Sequence, residues 1–210
     1  MMKQISVVLL VAALLAWAAF TGCSSGQKSG SASATPTPTP EPTQTQTGRI
    51  AFQRMYIQAH AWAPDAQGYL EESQPTKEIT GTGGKSAVWS ARFGSRARGL
   101  SKAFVWSGTD APDAPARGTG PVSQDTFSPN NLSTQTFDVG FLQSDTDQAF
   151  QVAQEHGGKE LLAKNPTLPV TYRLEWNSRD NGVAWHVIYG KSQLSISVDA
   201  STGKYLRIDR

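Results

Sequence analysis

The chain has 210 residues, a formal net charge of +2, 38% hydrophobic residues and a single cysteine. Charge this balanced argues against nucleic-acid binding and against a general attraction to anionic membranes. A lone cysteine leaves no partner for an internal disulfide, so the fold must stand on its hydrophobic core.

The first 22 residues carry a basic residue, Lys3, then an apolar run over 5–20, then the small residues Thr21 and Gly22 before Cys23. That order is a secretory signal peptide, and the run is short for a membrane span, which needs about 20 apolar residues. Phe20-Thr21-Gly22-Cys23 resembles the lipobox of bacterial lipoproteins, with Phe20 where Leu is usual. The resemblance implies cleavage before Cys23, acylation of Cys23, and residence in the cell envelope on a lipid anchor. Two or more acyl chains hold a protein stably where one does not. Ser24 after the cysteine resembles the outer-membrane sorting pattern, which implies a periplasm-facing position.

Residues 24–48 (SSGQKSGSASATPTPTPEPTQTQTG) lack any aromatic or aliphatic core-former. Such a segment is a spacer; its Thr-Pro part favours extended polyproline II, and the whole spans on the order of 70 Å when stretched. Folded structure is expected from about residue 49.

A helix is expected over 51–63 (AFQRMYIQAHAWA), where Phe52, Met55, Tyr56 and Ala59 recur at helical spacing and Pro64 ends the pattern. A short strand is expected over 69–72. Residues 87–94 (AVWSARFG) alternate, with Trp89, Ala91 and Phe93 on one face, and 100–107 (LSKAFVWS) give a further strand. Residues 108–143 read as an irregular connection, rich in Pro and Gly at its start and pinned by Phe127, Leu132, Phe137, Phe141 and Leu142.

The second part repeats the plan. A helix opens at Ala149-Phe150-Gln151 with Ser144 as its expected N-cap, is interrupted at Gly157-Gly158, resumes over 159–164 and stops at Pro166. Strands follow at 172–176 (YRLEW), 183–190 (VAWHVIYG), 194–198 (LSISV) and 204–208 (KYLRI), the last after the turn residues Asp199-Ala200-Ser201-Thr202-Gly203. VAWHVIYG matches AVWSARFG in form. The expected fold is α+β, a helix on an antiparallel sheet, duplicated as units 49–107 and 144–210.

Motifs for chemistry are sparse. GTGGKS at 81–86 lacks the first glycine of a P-loop and precedes a strand, so it reads as a loop. Asp145 and Asp147 open like a calcium loop, but Ala149 and Phe150 break the ligand pattern. His60, His156 and His186 stand apart, with no second ligand at metal spacing. No metal, cofactor or catalytic set is expected from these residues, although distant groups can assemble in a fold. Trp89 and Trp185 read as core; Trp106 and Trp176, near strand ends, read as the more exposed pair.

The helix AFQVAQEHGG, the strands YRLEW and VAWHVIYG, and the ending LSISVDASTGKYLRI make residues 149–208 resemble a PepSY-type domain. The resemblance implies an extracytoplasmic, non-catalytic module that binds or restrains a protein, in several settings a peptidase. The expected binding residues are Trp176 with the turn of Asp199, Ser201, Thr202, Gly203 and Lys204, and the expected partners are the membrane, through Cys23, and an envelope protein. A glycan- or peptidoglycan-binding lipoprotein is the alternative, resting on exposed tryptophan, and an enzyme of unrecognised type is the third reading.

Overall fold

The structure is a computed structural model that describes residues 41–209. The expected signal sequence, Cys23 and the expected tether up to residue 40 lie outside those residues, whereas the last tether residues, Gln46 to Gly48, are in regular structure rather than spacer. The elements run β1 (Gln46–Thr47), α1 (Gly48–Trp62), β2 (Gln67–Gln74), β3 (Lys85–Ser86), β4 (Val88–Ser95), β5 (Leu100–Ser107) and β6 (Gly118–Thr126). Then come α2 (Thr146–Ala153), a π-helical turn (Gln154–Gly158), α3 (Lys159–Lys164), β7 (Val170–Asn177), β8 (Gly182–Tyr189), β9 (Leu194–Asp199) and β10 (Tyr205–Asp209).

Eight strands form one antiparallel sheet in the order β10-β9-β8-β7-β2-β4-β5-β6, and β1 pairs separately with β3. The architecture is α+β, as the sequence predicts. Helix α1 with β2, β4, β5 and β6 makes one side; α2 and α3 with β7 to β10 make the other. The two sides join where β2 pairs antiparallel with β7.

One sheet face carries the core. Ala51, Phe52, Met55 and Ala59 of α1 are buried together in one cluster with Trp89, Ala91 and Phe93 of β4 and Trp185, Val187 and Tyr189 of β8. Trp89 and Trp185 meet edge to face, their centroids 6.4 Å apart. The Trp89 indole donates to the Gln46 carbonyl at 3.0 Å, and the Trp185 indole donates to the Ser144 carbonyl at 3.1 Å. Each tryptophan thus bonds the carbonyl two residues before the first residue of its own helix.

Asp145, not Ser144, caps α2. Its Oδ1 accepts from the Thr146 amide at 2.7 Å and also from the Arg49 amide of α1 at 2.9 Å, while its Oδ2 accepts from the Thr47 hydroxyl at 2.7 Å. One carboxylate therefore serves the positive ends of two helices. Ser144 is instead held by its backbone amide on the Ala200 carbonyl, at 2.7 Å. Helix α1 begins three residues earlier than the apolar periodicity suggests, because its first turn is fixed by these polar bonds, and α2 begins one residue after the start that a Ser144 cap would give.

Three further expectations change. The first strand is not short: β2 runs eight residues and lies in the middle of the sheet. The connection 108–143 is not irregular throughout, since Gly118–Thr126 form β6 along the outside of β5. Gly118, Gly120 and Pro121 lower its strand propensity, but an edge strand tolerates proline, and the β5 register shifts opposite Pro121. Within the rest of that connection Phe127, Phe137 and Leu142 are buried as anchors, whereas Leu132 and Phe141 are exposed.

The GTGGKS segment is a structural loop. The Tyr172 hydroxyl donates to the Gly81 carbonyl at 2.6 Å and accepts from the Gly84 amide at 3.0 Å. Gly84 has φ +78°, and a Cβ there would meet the Asp147 backbone. Only glycine fits this contact between the loop and the start of α2.

Candidate functional site

Cys23, the expected lipidation site, lies outside the described residues. The expected binding turn is well defined. Asp199 Oδ1 accepts from the Ser201 and Thr202 amides, each at 2.8 Å, and the Gly203 amide donates to the Asp199 carbonyl at 2.8 Å. The Ser201 hydroxyl donates to the Phe141 carbonyl at 2.8 Å. Gly203, with φ +71°, packs on the Gln148 side chain. Asp199, Ser201 and Gly203 are thus spent on building the turn and docking it to Phe141 and α2; Thr202 and Lys204 remain exposed.

Trp176 lies at the same end of the sheet. It pairs with Val183, whose carbonyl accepts from the Ala200 amide at 2.9 Å. Its ring is half-buried against the core rather than offered to solvent. Trp106, expected as exposed, is 3% exposed. It pairs with Trp89 across β4 and β5, so it shares that strand's inward face. The buried Trp89, Trp106 and Trp185 offer no ring face for stacking, while Trp62 and Trp176 are half-buried.

Edge strand β6 has the strongest character of a docking element. Over nine residues it pairs on one side with β5, and its side chains are exposed or half-buried throughout. Val122 is 64% exposed. The outward row of amides and carbonyls is what an added strand requires.

On the sheet face opposite the helices, polar side chains form a chain across five strands. Glu72 pairs with Arg173 at 3.3 Å, and Arg173 pairs with Glu175 at 2.7 Å. Glu175 lies 3.7 Å from His186 Nε2, and His186 Nδ1 lies 2.9 Å from Asp209 Oδ2. The Ser197 hydroxyl donates to Asp209 at 2.8 Å and lies 3.0 Å from the same His186 Nδ1. The Ser195 hydroxyl also donates to Asp209, at 3.0 Å. Burial pushes the Asp209 carboxyl up, but the hydrogen bonds from His186 and Ser197 outweigh it and hold the group below its ordinary value.

A serine, histidine and aspartate therefore meet, but not as a nucleophilic relay. A relay needs serine on one ring nitrogen and aspartate on the other. Here both sit on Nδ1, and Ser197 is fully buried. The cluster ties β10 onto β9 and β8. Sequence reasoning missed it because it exists only in the β8–β9–β10 register. The other two histidines pack against rings: His60 against Tyr56, and His156 stacked on Tyr205 with centroids 3.7 Å apart. Among the described residues, no group of three His, Cys, Asp or Glu could hold a metal ion. Nor is any helix among them long and apolar enough to cross a membrane.

The other feature that sequence left hidden is Glu71. It is fully buried on the core face, and neither carboxyl oxygen has a hydrogen-bond partner. Burial, and then the charge of Asp145, raise its carboxyl well above the usual 4.5. Its surroundings favour the neutral acid over the carboxylate.

No protein-family model matches the chain, and no curated protein does. Among solved structures, the chain is similar to one described as a candidate lipoprotein from Clostridium difficile 630, with 12% identity, a TM-score of 0.49, and coverage of 78% of this chain and 95% of that one.

Proposed function

We propose that this protein is a lipid-anchored, extracytoplasmic binding module, held by acyl chains on Cys23 and engaging an envelope protein through the outer edge of β6. The observation that carries this reading is the nine-residue exposed strand β6 at the rim of a rigid eight-stranded sheet. Backbone pairing along such an edge supplies affinity, and side-chain pockets on alternate residues supply selectivity. The lipobox and spacer support confinement at a membrane surface, where effective concentration rises without any new contact. Ser24 supports the outer membrane, facing the periplasm, as that surface.

The module consists of two PepSY-like copies of one unit. The matched indole bonds of Trp89 and Trp185, and the shared order of one helical segment before four strands of the main sheet, support duplication. The resemblance of 149–208 supports a peptidase as the partner, bound or restrained rather than cleaved. On this reading the chain is not itself an enzyme. The Asp199–Lys204 turn has a lesser part, with Thr202 and Lys204 as contacts.

The test is affinity capture of the acylated protein from its native envelope, with mild cross-linking, alongside binding to purified sacculi. One stoichiometric envelope protein is expected. Retention on sacculi without any protein would overturn the proposal in favour of glycan binding.

A further inference from the structure

The overall charge conceals a local asymmetry. Between Ile79 and Thr109 the sequence holds Lys85, Arg92, Arg96, Arg98 and Lys102 and no acidic residue. Helix α1 likewise contains no Asp or Glu. Its outer face presents Ile50, Arg54, Ile57 and Ala61, spaced four, three and four residues apart and therefore in one stripe. Ile57 is 67% exposed and Ile50 46%.

At the end of that stripe Trp62 is flanked by two cations. The Arg98 guanidinium lies 5.5 Å from its ring centroid and the Lys102 ammonium 5.7 Å. Arg96 and Arg98 are exposed in the β4–β5 turn, where the carboxylate of exposed Asp65 accepts from the Ser95 hydroxyl and the Ala97 amide, so cations outnumber acid there by two to one. Among the described residues, Arg54, Arg96, Arg98 and Lys102 form no salt bridge with an acid. The neighbouring α2–α3 segment is near neutral instead: it exposes Asp147, Glu155 and Glu160 but also Lys159 and Lys164.

We propose that the α1 stripe and the β4–β5 turn form a membrane-docking face that lies on an anionic phospholipid surface. The chemistry matches on both counts. Unpaired Arg and Lys are drawn to anionic headgroups, while Ile50, Ile57 and the Trp62 ring have the apolar and amphipathic character of an interfacial helix. The near-neutral α2–α3 side offers no such cluster of cations, so the surface selects one orientation. The acyl anchor supplies proximity, and the docked face sets which way β6 points. To that extent the inference rests on the lipid-anchor reading, although the attraction of the face for lipid does not.

The experiment uses the acylated protein carrying Ile57→Cys, labelled with a polarity-sensitive fluorophore. Cys23 is the only native cysteine and is blocked by its acyl group. Gln151→Cys on α2 is the control. Each is mixed with phosphatidylcholine vesicles and with vesicles containing phosphatidylglycerol, and both flotation and label environment are read.

The expected result is flotation with both vesicle types, with the residue-57 label shielded only on anionic ones. That shielding weakens in high salt. In the variant Arg54→Glu/Arg98→Glu it falls by about tenfold or more, since each basic residue near such a surface is worth roughly a factor of five in binding. Flotation with anionic vesicles alone supports the docking face and overturns the anchor. Flotation with both, with residue 57 as exposed as residue 151, overturns the docking face and leaves the anchor standing. Flotation with neither overturns both.

Discussion

Glu71 stands directly opposite Leu174 where β2 pairs with β7, and both side chains turn into the core. The junction of the two halves therefore places a carboxyl beside an aliphatic residue, with no hydrogen-bond donor for either oxygen. Such a group is held in its neutral form, and ionising it opposes folding.

Glu71 gives a pH signature. Its folded carboxyl titrates above its unfolded one, so the native state binds the extra proton. Its penalty is absent below the unfolded carboxyl's range near 4.5 and grows as pH rises towards the folded value. Glu71→Leu is predicted to raise stability at neutral pH by about 1–3 kcal/mol and to flatten this dependence. Denaturant melts of both proteins across the range from weakly acidic to neutral pH test it. A wild-type stability that rises across that range while the variant's falls would contradict it.

Tyr172→Phe removes one hydroxyl that serves two backbone groups of the GTGGKS loop. Leaving the Gly84 amide and Gly81 carbonyl without that partner costs about 1–3 kcal/mol. Thermal melting is expected to show a lowered Tm. Hydrogen exchange is expected to show faster opening of residues 81–86, with strand β5 unchanged.

Asp209→Ala is predicted to fray β10. The side chain accepts from Ser195 and Ser197 and pairs with His186 and Arg207. Its loss costs about 1–3 kcal/mol, mostly through unsatisfied partners. Because the folded carboxyl titrates below 3.8, its contribution is present above that value and is lost as pH falls through the folded one. Amide exchange at residues 205–209 is the readout.

Cys23→Ser is predicted to abolish acylation and move the protein out of the membrane fraction. Fractionation with mass measurement of the N-terminus reads this directly, and membrane retention of an unmodified chain would contradict it.

The parts of the fold legible in sequence are those where burial imposes a period. Trp89, Ala91 and Phe93 alternate because β4 buries one face, and Val183, Trp185 and Val187 do the same in β8. Strand β6 carries no such signal because it buries almost nothing. Asp145 could not be read as a cap for α1, since its bond to the Arg49 amide joins residues 96 apart in the chain. Glu71 looks like a solvated charge until the β2–β7 pairing turns it inward. Asp199 and Gly203 are legible as a turn, but not that the turn docks on Gln148 and Phe141.

The most direct test is position-specific cross-linking from the β6 edge in the native envelope. A photoreactive residue is placed at Val122, with Thr202 in the β9–β10 turn as the comparison. Recognition through the β6 edge predicts one predominant protein adduct from position 122, lost when Gln124→Pro removes a backbone donor from the strand. Adducts arising only from position 202, or an adduct at 122 indifferent to the proline, would contradict it.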